Sequence, residues 1–289
     1  MYGTRIRNAH LREKIRTAEE AAALIHPGDN IGMSGFTGAG YPKRVPSALA
    51  ERIRQATAAG HPFRVGVWTG ASTAPELDGV LAEVDGIEFR MPYQSDPVTR
   101  SKINRGQVEY VDLHLSHVAP MVWEGFFGRL DVALVEVAGI TAEGQLITSS
   151  SVGNNKTWID QAEKVILEVN AWQSLGLEGM HDIYYGTRLP PHRRPIPLSA
   201  PGDRIGERYL RVDPDKILAI VETDHPDRNS PFKPLDEDSK AIAGHLLEFF
   251  GHEVRRGRLP QRLLPLQSGV GNIANAVLAG LAHGPFAHL

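Results

Sequence analysis

Seven short apolar runs alternate with helix-patterned segments along most of this chain. No other feature constrains its fold as strongly. The runs are Asn30–Ser34, Arg64–Trp68, Ile87–Met91, Glu109–Asp112, Val132–Val137, Lys164–Val169 and Ile217–Val221. Helical segments between them include Val45–Ala59, Met121–Phe127 and Asn155–Glu163. Thr17-Ala18-Glu19-Glu20 matches a capping box and predicts a further helix to about Ile25. Strands joined through helices form parallel pairs. The expected fold class is therefore α/β: an open, mainly parallel sheet with helices on both faces. Gly139 and Glu143-Gly144 predict one antiparallel hairpin at its edge.

Residues 170 to about 212 break the pattern, with Pro190, Pro191, Pro195, Pro197 and Pro201 in one stretch. They read as an extended crossover or arm. The expected organisation is an N-terminal α/β domain over 1–215 and an incomplete second α/β domain over 216–289. The latter holds a long helix, Asp236–Arg256, that turns Ile242, Leu246, Phe249 and Phe250 toward a core.

Composition removes several function classes. A formal net charge of −3 leaves no basic footprint, so nucleic acid is not an expected partner. The chain has no cysteine, which excludes disulfides, cysteine nucleophiles and thiolate metal sites. No apolar run approaches the ~20 residues that span a bilayer. Arg5, Arg7, Arg12, Lys14 and Arg16 are not followed by the apolar core of a secretory leader. A cytoplasmic protein without a membrane segment is expected.

Three glycine-rich or hydroxyl-rich stretches follow predicted strands: Gly35–Tyr41, Thr69–Thr73 and Pro92–Asp96. In open α/β sheets such loops border the ligand crevice. Each is equally readable as an ordinary turn or helix cap. Near the C-terminus, Gln267-Ser268-Gly269-Val270-Gly271-Asn272-Ile273 leads into an apolar helix. A glycine turn at a helix start aims backbone N–H groups at an anion or a developing oxyanion. Gly269–Ala274 fits the G-x-G-x-x-A dinucleotide pattern, yet it lacks a preceding βαβ context. A tight turn with close helix packing is the alternative. Gly70–Ala74 falls one glycine short of the G-x-S-x-G nucleophile elbow. His114 and His117 have helical spacing and no obvious third ligand, so no metal is expected. Glu222–Asp227 reads as a solvated loop.

The run Pro265–Val277 resembles the acetyl-CoA hydrolase/transferase family, which includes succinyl-CoA:acetate CoA-transferases within the class I CoA-transferases. Ser34–Thr37, Gly40–Lys43, Thr69–Ser72 and Pro92–Asp96 resemble its other motifs, in the same order. The resemblance implies a CoA-transferase type of fold and CoA transfer between a short-chain acyl-CoA and a carboxylic acid. A hydrolase on the same scaffold is the runner-up. Coenzyme A would be a substrate, and no cofactor is permanently bound. Gln267, Ser268, Gly269, Val270, Gly271, Asn272 and Ile273 would hold CoA. Gly35, Phe36, Thr37, Ser72, Thr73 and Ser95 would line the carboxylate pocket. The family's nucleophilic glutamate follows the last helix and would lie beyond Leu289, so no catalytic residue is assigned within the chain. This implies a missing C-terminal half or a partner chain, and a homo-oligomer. The remaining alternative is a non-catalytic fragment or one subunit of a split enzyme.

Overall fold

The computed structural model describes residues 5–71, 74–229, 234–264, 266–269 and 271–286. They form two units, residues 1–197 with 204–229, and residues 198–203 with 230–289.

The first unit holds eight strands: β1 Asn30–Met33, β2 Val65–Trp68, β3 Ile87–Met91, β4 Glu109–Tyr110, β5 Val132–Ile140, β6 Leu146–Thr148, β7 Lys164–Asn170 and β8 Ile217–Thr223. Its helices are α1 Ala9–Arg12, α2 Ala18–Ala23, α3 Arg44–Ala58, α4 Val80–Glu83, α5 Pro97–Asn104, α6 Leu115–Trp123 and α7 Asn155–Gln161. The strand order is β4-β3-β2-β1-β5-β7-β8, parallel throughout. Among the described residues only strand β6 is antiparallel, paired with the far end of β5. The expected hairpin therefore exists, but it extends the central strand rather than an edge.

The order reverses between β1 and β5, and this is the topological switch point where open α/β sheets bind ligands. Alternation along β5 separates two cores. Val132 and Leu134 join the core under α2, α3 and α4, while Ala133, Val135 and Val137 join the core with Val118 of α6 and Trp158 of α7. A Cβ on Gly32 of β1 would lie 2.8 Å from the Trp158 ring, so glycine lets α7 press onto the sheet.

β8 was expected to open the second domain. It pairs with β7 from Val165↔Ile217 to Asn170↔Thr223 and belongs to the first sheet. The boundary expected at 215 falls after Asn229. The proline-rich stretch is a crossover that returns to the same sheet.

The second unit carries α8 Glu237–Arg255 and α9 Asn272–His283, with no strand among its described residues. Asp236 caps α8 through the Ser239 amide at 2.7 Å. Leu263, Leu281 and Phe286 form its small core, with Leu247, Phe250 and Val254 packed against them. Ile242 and Phe249 were expected to face inward. They are 39% and 55% exposed.

Candidate active site

The site is built from a coincidence of register. Glu136 on β5 and Glu168 on β7 are paired positions of adjacent parallel strands. Their neighbours Leu134 and Ile166, two residues earlier, pack under α3, so both carboxylates point to that face. Each is fully buried, and each therefore needs donors. Glu168 receives the amides of Lys43, Arg44 and Val45 at 2.8, 3.0 and 2.6 Å. It caps α3, which has no side-chain cap of its own, and its charge suits the positive helix end. Burial nonetheless pushes the Glu168 carboxyl upward, opposed by those amides and by Lys43.

Glu136 receives the Lys43 ammonium at 2.6 Å, Asn170 Nδ2 at 2.8 Å and Gln173 Nε2 at 2.9 Å. Its own backbone N–H donates to Ser34 Oγ at 2.8 Å, just past the end of β1. Lys43, 2% exposed, also donates to Asp227 at 3.0 Å and to the Tyr41 carbonyl at 2.8 Å. Glu222–Asp227 is not simply a solvated loop, because the Asp227 side chain is 1% exposed and serves this network.

Burial foremost raises Glu136 from 4.5 to about 7. Lys43 and Asn170 oppose the shift, and Asp227 adds to it. The folded value is above the unfolded one, so the proton is held more tightly by the native state. The stability it brings is complete below about 4.5 and is lost as pH rises through about 7. The shift corresponds to roughly 3 kcal/mol. Glu136→Gln should remove this slope. Urea unfolding of both proteins at pH 5 and pH 7.5 checks it, and parallel pH dependences would contradict it.

Above this floor lies the Gly35–Tyr41 loop. Gly35, Thr37, Gly38 and Gly40 all have positive φ, and Thr37 pays for it as a non-glycine residue. Thr37 N–H donates to the Ala71 carbonyl at 3.0 Å, and a Cβ on Gly70 would lie 2.4 Å from the Gly35 carbonyl oxygen. Thus the loops after β1 and β2 meet. Gly35 is buried, while Phe36 and Thr37 are exposed. The stretch after β2 continues into a π-helical turn, Pro75–Gly79, which the sequence did not predict, and Thr99 of α5, after β3, donates its hydroxyl to the Asp78 carbonyl at 3.2 Å. In that turn Glu76 accepts from Tyr41 Oη at 3.0 Å and from Arg228 Nε at 2.6 Å. Asp78 grips Arg90 of β3 at 2.8 and 3.0 Å. Asp96 caps α5 through the Thr99 amide at 2.8 Å, leaving Ser95 exposed. Ser72 and Thr73 lie outside the described residues.

Five buried polar atoms have no partner among the described residues: Trp68 Nε1, Gln94 Oε1, Ser149 Oγ, Ser151 Oγ and Asn155 Oδ1. Trp68 ends β2, Gln94, Ser149 and Ser151 follow β3 and β6, and Asn155 opens α7. Ser149 and Ser151 line Gly40, whose added Cβ would lie 2.5 Å from Ser149 Oγ. They are free to bond a polar ligand or water.

In the second unit, a cleft of about 650 Å³ is lined by Gln267, Ser268, Gly269, Gly271, Asn272, Ile273, Ala274 and Val277. Val270 lies outside the described residues. Gly271, at φ 140°, starts α9 without a side-chain cap, and a Cβ there would meet nothing within 4 Å. The first amides of a 12-residue helix thus open into the cleft.

The rings of His114 and His117 stack edge-on at 5.6 Å. No group of three or more metal-ligating side chains occurs among the described residues. No helix there is long and apolar enough to cross a membrane.

Residues 3–222 match the acetyl-CoA hydrolase/transferase N-terminal domain, and the chain belongs to this family. It is 45% identical to the succinyl-CoA:acetate CoA-transferase of Clostridium kluyveri, over 99% of this chain and 52% of that protein. It is 42% identical to an acetyl-CoA hydrolase of Schizosaccharomyces pombe, over 100% of this chain and 56% of that one. The propanoyl-CoA:succinate CoA transferase of Escherichia coli is also 42% identical, over 93% and 54%. The chain thus spans about half the length of these relatives. Two solved structures share the fold. RipA of Yersinia pestis superposes with a TM-score of 0.65 at 20% identity, over 94% of this chain and 54% of its own. A 4-hydroxybutyrate CoA-transferase of Porphyromonas gingivalis superposes with a TM-score of 0.57 at 21% identity, over 95% and 52%.

Proposed function

We propose that this chain is the N-terminal half of an enzyme that moves CoA between a short-chain acyl-CoA and a carboxylic acid. The supporting observation is the Gln267–Val277 cleft, formed by the motif that resembles the family's CoA-binding turn. A glutamate outside this chain attacks the thioester carbonyl and expels CoA thiolate, leaving a mixed anhydride. The thiolate then attacks the glutamyl carbonyl and expels the donor acid, leaving a glutamyl-CoA thioester. The incoming carboxylate repeats the steps in reverse, so kinetics are ping-pong. The α9 amides and the Gln267–Ile273 turn receive CoA. Gly35, Phe36, Thr37, Ser72, Thr73 and Ser95 line the pocket for the acid.

The rest of the enzyme is a C-terminal half or a partner chain, which completes a second α/β domain. It, or a second copy, covers the exposed Phe249, Leu264, Ile273 and Leu278. The protein would work in the cytoplasm, with the acyl-CoA pool, as a homo-oligomer.

The test compares the 289-residue chain with a longer polypeptide that restores the second half. Incubation with acyl-CoA followed by mass spectrometry should show a glutamyl-CoA adduct in the longer protein alone. An adduct in the short chain would place the nucleophile within it and overturn the assignment. Hydrolase activity, which the name of the Schizosaccharomyces pombe relative favours, is the second reading. Labelled acetate entering the acyl-CoA pool marks transfer, whereas release of free CoA without exchange marks hydrolysis. Ser72→Ala in the longer protein should raise the KM for the acceptor acid, by ~1.5–3 kcal/mol if a charged hydrogen bond is lost. If Ser72 only caps a helix, stability falls by ~1 kcal/mol and that KM stays put.

A further inference from the structure

We propose that Asp227 is a positioning residue for the acid-binding side of the site, fixing the Gly35–Tyr41 loop in its receptive shape. The inference rests on the CoA-transfer reading.

Asp227 Oδ1 accepts the Gly40 amide and the Lys43 ammonium, each at 3.0 Å. Oδ2 accepts Ser150 Oγ and Gln173 Nε2, each at 2.9 Å. One carboxylate thus uses all of its roughly four acceptor positions on four separate stretches of chain. Those stretches are the glycine loop, the start of α3, the turn after β6 and the crossover after β7.

The loop needs such a clamp. Its φ angles are those of a chain that makes no regular structure, and its internal bonds are only the reciprocal pair between Phe36 and Ala39, each 2.9 Å. The segment containing Asp227 adds a second tie, since Arg228 N–H donates to the Gly38 carbonyl at 3.0 Å. Contact there is close: a Cβ on Gly38 would lie 2.5 Å from the Arg228 carbonyl oxygen. Asn170 Nδ2 holds the His225 carbonyl at 2.8 Å, which fixes the segment to the end of β7. Phe36 and Thr37, the proposed acid contacts, hang between the Ala71 tie on one side and the Asp227 and Arg228 ties on the other.

A buried carboxylate next to a second one is a costly way to hold a loop, because desolvation offsets most of what its bonds gain. What it supplies is direction, since four donors define one position for the Gly40 amide.

Two variants test the idea. In Asp227→Ala all four bonds go. In Asp227→Asn the remaining carbonyl oxygen can still accept from Gly40 and Lys43. Amide hydrogen exchange on the 289-residue chain needs no CoA chemistry. Asp227→Ala should speed exchange at Gly40 by roughly 10–100-fold, the loss of a charge-assisted hydrogen bond. Amides of Val135 and Leu167 should be unchanged, and Asp227→Asn should stay near wild type. Uniform acceleration across the sheet, or none at Gly40, would overturn the clamp. In the longer polypeptide, Asp227→Ala should raise the KM for the acceptor acid by a similar factor while the KM for acyl-CoA holds. Asp227→Asn should restore it. An unchanged acid KM would overturn the positioning role. A wild-type longer protein that exchanges no acid would instead sink the CoA-transfer reading itself.

Discussion

Lys43→Met is expected to destabilise the first unit by about 3–5 kcal/mol, the usual cost of removing one partner from a buried ion pair. The methionine keeps much of the lysine stem and its volume, so the loss is electrostatic rather than a cavity. Lys43 is the only cation bonded to Glu136 and Asp227 among the described residues, at 2.6 and 3.0 Å, and both carboxylate side chains are at most 1% exposed. Without it, Glu136 keeps only two amide donors for a charge that burial already disfavours. The Glu136 proton would then be held to still higher pH, and the variant's deficit should be greatest above pH 7. Chemical denaturation across pH 5–8 measures this. Lys43→Met/Glu136→Gln should recover part of the loss. A Lys43→Met protein of wild-type stability at pH 8 would mean the network contributes nothing to folding.

Arg90→Met should cost a similar ~3–5 kcal/mol. Arg90 and Asp78 are both 0% exposed, and Arg90 also bonds the Met91 carbonyl. Removing the guanidinium takes two charge-assisted hydrogen bonds from the buried Asp78, in the π-helical turn that brings Glu76 to Tyr41 and Arg228. The control is Lys240→Ala. That residue pairs with Glu237 at 2.7 Å on the surface of α8 and should cost no more than ~0.5 kcal/mol. Equal effects for the two variants would refute the claim that burial decides the difference.

Much of the sheet was legible because parallel strands covered on both faces must be apolar nearly throughout, as Val132–Val137 and Lys164–Val169 are. The glycine turn leading into α9 was legible because its parts are contiguous. The network under the glycine loop was not. Glu136 and Glu168 each interrupt an apolar run at the same place, Leu-Val-Glu-Val and Ile-Leu-Glu-Val, and this was the available signal. Its meaning depends on which strands are neighbours, which sequence order does not show. Asp227 looked solvated because its neighbours Asp224, His225 and Pro226 are polar or turn-forming. Its burial depends on a lysine 184 residues away. The boundary was expected at 215 because the five prolines within 190–201 break the periodic pattern and Ile217 then reads as the start of a new α/β unit, although that strand returns to pair with β7.

The pairing of Glu136 with Glu168 also bears on how the chain finds its fold. Side chains alternate along a strand, so sliding β7 by one residue against β5 would swing Glu168 to the opposite face. There it would enter the packing around Trp158 and Val135 as a charge without a partner. The apolar residues of β7 are nearly interchangeable and tell one alignment from the next only weakly. A single misplaced carboxylate makes the wrong alignment costly by several kcal/mol. The two glutamates therefore act as a key for strand alignment: the sheet can close with α3 seated only when both reach donors at once.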